Sequence, residues 1–421
     1  MRSQSKIFGT CVLACILTIL IAGAGICADI PTIDKLTGGK VKNGDQITKA
    51  NVDTVKDLLA PSTYGMVKRG MVLVMAPTTP VEATIPAYYL EATKKNAGQA
   101  VIGKNSVFYH KSGKKWPGGF PFTDPKTGEE AMSNQKVGLL FGADDFNYHV
   151  KIDYINKAGK AYKYSVSWYR KLWVNPRLKM SPIPTFPGHE NELFRSMIVF
   201  TEPHDLKSIS QVVTRYYDDT ANADDGYVYI PALKRTRRIS ATNWQDNMGG
   251  SDLTWGDAEG FVEPFSLWTF KLIGKANMIM PGQSNPAPVK DKQGKIVPGI
   301  PLDAGEKFCR MQWEVRPVVI VEAKPKGKHI YGKQVLYLDG LNWRSALVDK
   351  FDRQGKLWKS WTTGGGLVKG KDGLNYGITY YPHGYDLQID QMTRMTTMKP
   401  ELNTGVKIDQ YSTKKMLEMG Q

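Results

Sequence analysis

Six histidines, His110, His149, His189, His204, His329 and His383, are the first candidates for chemistry in this chain. None stands at metal-ligand spacing from a second histidine or a cysteine, so zinc motifs are missing. No metal and no cofactor is expected. A G-x-S-x-G nucleophile turn is absent, and no S-x-x-K has its partner motifs. The stretch Gly365 to Asp372 falls one residue short of a phosphate-binding loop. Asp372 stands where Ser or Thr would hold Mg²⁺, and its charge would repel phosphate, so the stretch reads as a glycine-rich connection between strands. The carboxylate pairs Asp144–Asp145 and Asp224–Asp225 lie beside turns, where Asp is favoured for capping backbone N–H groups. Within Phe308 to Val315, alternation puts Cys309, Met311, Trp313 and Val315 on one face of a strand, which marks Cys309 as a buried apolar group rather than a nucleophile. The expectation is a protein that is not an enzyme.

The elements around these residues are mostly strands. Phe146, Tyr148, Val150, Ile152 and Tyr154 alternate with polar residues. After a turn at Asn156 to Gly159, Tyr162, Tyr164, Val166 and Trp168 do the same. The pattern predicts an antiparallel hairpin with one apolar and one wet face. About ten similar stretches follow, starting at Leu193, Gln211, Tyr227, Leu267, Phe308, Gln334, Ala346, Leu357, Gly377 and Asp386. Short turns join them, which suggests one large curved antiparallel sheet rather than βαβ units. Before residue 137 the chain is helical or irregular. Thr48 is a plausible N-cap for Val52 to Leu59, with Pro61 as its stop, and a short helix is expected after Pro86. Asn105 to Asn134 reads as loop, Gly274 to Gly305 as the main irregular insertion, and Ser412 to Met419 as a last short helix.

The chain has 421 residues, 41% hydrophobic and 23% charged, with 56 Lys and Arg against 40 Asp and Glu for a net charge of +16. This mixture excludes wholesale disorder and collagen-like repeats. Residues 1–28 read as a secretory signal peptide: Arg2 and Lys6 precede an apolar run from Ile7 to Ile26, and small residues lead to Ala28. A retained anchor is the rival reading, as is lipidation at Cys27, although Ile26 lacks the small side chain a lipidation motif needs there. Cleavage before Asp29 removes two positive charges and no acid, lowering +16 to +14, and removes Cys11, Cys15 and Cys27. Cys309 is then the sole thiol, so no internal disulfide can form and the core must suffice.

The most distinctive segment runs from Tyr227 to Ile239, with Arg235, Arg237 and Arg238 near its end. Asn247 to Trp255 follows, containing Gly250, Ser251, Asp252, Leu253 and Thr254, and then Asp257 and Glu259. Arg237 and Arg238 are placed to pair with Asp252 or Asp257, or to face an anionic ligand. The pattern Y-x-P-x-x-x-R-x-R-R-I followed by G-S-D-L-T resembles the outer-membrane lipoprotein-sorting-like proteins, the Lol-type carrier superfamily. Within it, the whole chain resembles the uncharacterised exported family called domain of unknown function 1329. Glu202 to Lys207, Gly118 to Phe122 with Glu130 to Asn134, Lys356 to Lys359 and Met416 to Gly420 carry the likeness elsewhere. Gly118-Gly119 departs from the Gly-Leu common in the family, without functional consequence.

The resemblance implies a mainly β fold, an unclosed and strongly curved antiparallel half-barrel with helices covering the concave face and an apolar cavity for acyl chains. The implied division is a signal peptide at 1–28, an N-terminal helical or irregular region at 29–136 packing on the sheet, and the half-barrel at 137–421 with its insertion at about 274–305. The expected function is an exported periplasmic carrier or binder of lipid-like ligands. The candidate cavity wall is Phe146, Tyr148, Val150, Ile152, Tyr154, Tyr164, Val166 and Trp168, and the candidate headgroup or rim residues are Arg237, Arg238, Ser251 and Asp252. Expected partners are a lipid or other hydrophobic small molecule, an envelope transporter or outer-membrane protein, and a membrane surface, to which the positive charge is suited. Nucleic acid is not expected of an exported chain. The other reading is a non-catalytic envelope module whose 10 Trp and 20 Tyr bind glycan or protein.

Overall fold

A computed structural model describes residues 30–419 except 140, 240–243, 287, 291–295, 300, 301 and 303–306. The expected signal peptide, its cleavage point and Cys11, Cys15 and Cys27 lie outside the described residues. No helix among those described is long and apolar enough to cross a membrane.

The N-terminal region supplies α1 (Ile33–Thr37), β1 (Gln46–Ile47), α2 (Pro61–Lys68), β2 (Leu73–Met75), α3 (Val81–Thr84), α4 (Ala87–Lys95), the small pair β3 (Ala100–Ile102) and β4 (Phe108–His110), and α5 (Gly128–Gly138). Val52–Leu58 is a 3-10 turn, and Pro61 begins the following helix instead of ending this one. Proline suits the first helical position, because the N–H it lacks has no partner there anyway. The stretch read as loop, Asn105 to Asn134, contains the first seven residues of α5. Thr127 caps it by accepting from the Glu130 N–H at 3.2 Å, and the Glu130 carboxylate reaches back to the Lys126 N–H.

From residue 145 the chain is a meander. Its first five strands are β5 (Asp145–Ile155), β6 (Ala161–Trp173), β7 (Glu192–Glu202), β8 (Ser210–Tyr216) and β9 (Asp225–Ile230). After β10 (Arg235–Ile239) comes the long β11 (Trp268–Pro281), followed by the small hairpin β12 (Pro288–Lys290) and β13 (Ile296–Pro298). The rest are β14 (Met311–Pro325), β15 (Lys333–Asp339), β16 (Ser345–Phe351), β17 (Leu357–Lys369), β18 (Asn375–Asp386) and β19 (Gln391–Leu402). A final helix, α6, spans Thr413–Met419. Because β11 runs to Pro281 and pairs with β14, the irregular insertion begins later than Gly274.

One sheet of 15 strands takes the order β1-β2-β14-β15-β16-β17-β18-β19-β5-β6-β7-β8-β9-β10, with β11 paired to β14 off this path. Every pairing is antiparallel except β2 with β14. The terminal strands β1 and β10 do not pair with each other, so the sheet is mainly β, curved and unclosed, as expected. The N-terminal region does more than pack on it, since β1 and β2 extend it. Two hydrophobic clusters flank the sheet. The large one joins the inner face to the N-terminal elements. A smaller one lies on the outer face of β6 to β8, where Leu172, Met197, Val199 and Val212 pack under Tyr411 and Met416 of the C-terminal segment.

Candidate functional site

Eight neighbouring strands, β16 to β19 and β5 to β8, each contribute wall residues to a single cavity of about 160 Å³. Such convergence requires the sheet to curl around it. The cavity is mainly apolar, with Phe146, Tyr148, Val150 and Ile152 along β5, Ile198 on β7 and Met395 on β19. Gln135 and Gly138 of α5, with the following Leu139, border it on one side, and the segment from Trp244 to Val262 on another. Next to it, a cavity of about 210 Å³ shares Gln211, Val213, Trp244 and Trp255 as a common wall.

The covering segment is pinned by a buried polar network. Thr254 and Asp257 form a capping box around Trp255. Asp257 is fully buried, paired to Lys350 at 2.9 Å and accepting from the Tyr331 hydroxyl at 2.8 Å. Burial alone would raise its carboxyl pKa, but Lys350 and these hydrogen bonds hold it below the usual value. Glu263 accepts from the Trp268 indole at 3.1 Å and contacts His329 at 3.2 Å. The acidic residues after the Gly-Ser-Asp motif therefore tie a cover to the sheet.

The predicted wall is divided by the structure. Phe146, Tyr148, Val150 and Ile152 line the cavity. Tyr154 shares their face but sits beneath the covering segment, its hydroxyl donating to the Gly249 carbonyl at 3.0 Å. Tyr164, Val166 and Trp168 lie on the opposite face, because the hairpin carries a register shift. Ile155 pairs with Ala161, but Tyr154 pairs with Lys163, so one extra residue bulges out of β6. A one-residue slip turns every later side chain to the other side. Ser167, Tyr169 and Lys171 of β6 consequently face the cavity. Trp168 instead stacks with His149, and Tyr164 lies under Lys151. The expectation of one wet face also fails for β6, whose outer Leu172 is buried under the C-terminal segment.

The rim candidates are not brought together. Arg238 pairs with Asp225 at 3.0 Å and is 69% exposed at its side chain. Arg237 is its neighbour on an exposed strand, so alternation points the two to opposite faces. Ser251 is buried, its hydroxyl donating to the Leu253 carbonyl at 3.2 Å. Asp252 receives the Lys359 ammonium on its carbonyl, and burial raises its carboxyl pKa.

Many wall residues escaped the sequence reading: those of α5, β7, β8, β16 to β19, the inner face of β6 and the 244–262 segment. The Thr127-x-x-Glu130 capping pattern was the available signal for α5. Buried Lys171 pairs with the partly exposed Glu259 at 2.5 Å in the wall, and the Tyr169 hydroxyl donates to the same carboxylate at 3.3 Å. Burial lowers the Lys171 pKa, against the opposing pull of Glu259.

The groups singled out for catalysis have structural partners. Asp144 accepts from the N–H groups of Leu178, Lys179 and Met180, at 2.6 to 3.0 Å. Asp372 accepts from the Tyr376 hydroxyl at 2.6 Å. Of the preceding glycines, Gly365 and Gly366 lie inside β17, and Gly370 falls just beyond its end. A Cβ on Gly364 or Gly366 would collide with Met311 or Tyr380, at 2.2 Å in each case. Among the described residues, no group of three or more His, Cys, Asp or Glu side chains is placed to hold a metal ion.

A family model described as "Protein of unknown function (DUF1329)" matches residues 46–418. A Pseudomonas aeruginosa protein called uncharacterized protein PA3922 is 24% identical over 322 residues, covering 74% of this chain and 67% of its own. Among solved structures, a DUF1329 family protein from Desulfovibrio piger has a TM-score of 0.46 at 16% identity, with 68% of this chain and 98% of that one covered. A LolA superfamily protein from Nitrosomonas europaea, NE2245, has a TM-score of 0.41 at 13% identity, with 69% and 100% covered.

Proposed function

The chain belongs to the DUF1329 family, and we propose that it is an exported, non-catalytic carrier or binder of hydrophobic, lipid-like molecules at the cell envelope. The observation that supports this reading is the mainly apolar cavity lined by eight adjacent strands, α5 and the 244–262 segment. A curved open sheet cannot fill its own concave side with side chains, so helices, loops or a ligand must occupy it. Here the covers leave space, and the wall is chiefly aromatic and aliphatic. The periplasm is the compartment of this proposal, on the strength of the signal-like residues 1–28. The net positive charge suits approach to anionic lipid surfaces.

The experiment is saturable binding of a neutral apolar fluorophore such as N-phenylnaphthylamine, with displacement by long-chain lipids. Organic extraction and mass spectrometry of protein purified from its native envelope would identify the cargo. Absence of both binding and extracted lipid would reject the carrier reading. Saturable binding to peptidoglycan or an envelope protein would then favour the non-catalytic module.

A further inference from the structure

The cavity wall contains a cation that the fold does not fully use. Arg344 lies between β15 and β16, lines the cavity and is only 9% exposed. Its guanidinium stands 5.3 Å from the Phe141 ring, and Nη2 donates to the Thr363 carbonyl at a long 3.4 Å. Nη1 is buried and donates to no acceptor among the described residues. Ser345, the next residue, also lines the cavity, is buried, and has a hydroxyl with no hydrogen-bond partner. The carboxylates that act on Arg344 electrostatically, Asp339 and Glu314, are engaged by Arg316 at 2.8 and 3.1 Å. The other charged groups of the wall, Lys171 and Glu259, neutralise one another.

An unpaired donor on a buried guanidinium is costly, and an anion delivered with an apolar chain would remove that cost. Burial lowers the Arg344 pKa to about 10, which leaves it cationic at neutral pH. A carboxylate offers two oxygens, one for the Arg344 Nη1 donor and one for the Ser345 hydroxyl, and its hydrogen bond to the guanidinium is charge-assisted. We propose that the ligand is a single-chain amphiphile with a carboxylate head, of the long-chain fatty acid class. Arg344 Nη1 and the Ser345 hydroxyl bind the head, and the chain lies along Phe146, Tyr148 and Val150. A cavity of about 160 Å³ excludes two chains and takes the head and the near part of one. This inference rests on the carrier reading and adds the headgroup to it.

The test compares palmitate with hexadecanol, equal in chain length and different in head, on the delipidated full-length protein at pH 8. Palmitate should bind about tenfold or more tightly than hexadecanol, the scale of a charge-assisted hydrogen bond. Arg344→Gln should erase that preference by weakening palmitate far more than hexadecanol. Arg344→Lys should keep part of it, and Ser345→Ala should weaken palmitate alone. Circular dichroism accompanies each variant, and the wild-type comparison decides the matter even if Arg344→Gln does not fold. Equal affinities for the two probes overturn the headgroup assignment while the carrier reading stands. Binding of neither probe overturns both.

Discussion

Asp349 and His383 are both buried, and burial moves each toward its neutral form. Asp349 rises to about 6, although the Ser62 N–H donates to it at 3.3 Å. Between pH 3.8 and 6 the folded protein keeps a proton that the unfolded chain releases, so this group makes stability fall as pH rises through that window. His383 drops to about 4, mainly through burial. Below pH 6.5 the unfolded chain takes up a proton that the folded one refuses until about pH 4, so stability is lost as pH falls across this window. The two effects oppose each other over most of the acid range. Asp349→Asn should therefore gain about 2–3 kcal/mol at pH 8, and His383→Gln should abolish a loss of about 3 kcal/mol between pH 6.5 and 4. Urea titrations at pH 4.5, 6 and 8 measure both, and differences independent of pH would contradict the assignments. Cys309 is fully buried beside Met311 and Trp313 in the large core, as alternation indicated. Its thiol should react slowly in native protein and quickly in urea, and Cys309→Ala should cost about 1 kcal/mol.

Among the elements, the hairpin of β5 and β6 has the greatest consequence for the cavity. Apolar alternation located both strands and identified the inward side of β5 from Phe146 to Ile152. It could not report the bulge near Tyr162, because alternation describes each strand alone and the bulge is a property of their pairing. Val150→Arg and Ser167→Arg place a charge inside the cavity, at a cost of several kcal/mol if it remains unpaired. They should reduce probe affinity at least about tenfold, whereas Lys151→Glu and Tyr164→Arg on the outer face should change it by less than about twofold. If Tyr164→Arg proves as damaging as Val150→Arg, the hairpin register described above is wrong. Helix α5 offers a second test. Thr127→Ala removes its cap and should cost about 1 kcal/mol, read from the thermal midpoint. This helix was missed where prolines and glycines on its N-terminal side suggested loop, although its capping pattern is plain in the sequence.

At the scale of the whole molecule, β19 is the join. It pairs with β18 on one side and with β5 on the other, so strands distant in sequence become one sheet. Deleting residues 391–419 should separate the two halves of the sheet and uncover Leu172, Met197 and Val212, abolishing cooperative unfolding as followed by circular dichroism. A truncated chain that kept a single sharp transition would show that the halves stay coupled without β19. The amino-acid sequence alone determined the fold class, the order of most strands, the burial of Cys309 and the likeness to the family, because period-two patterning and turn residues are local signals. It also determined the charge balance, which needs no coordinates. Only the tertiary structure decided which face of β6 meets the cavity and that Asp257 anchors a cover. It also showed that Arg238 pairs with Asp225 rather than with Asp252 or Asp257, and that Arg344 lies beside Phe141 with a free donor. Each depends on pairing register or on contacts between residues far apart in the chain, and a pattern read along one strand holds no information about the partner across from it.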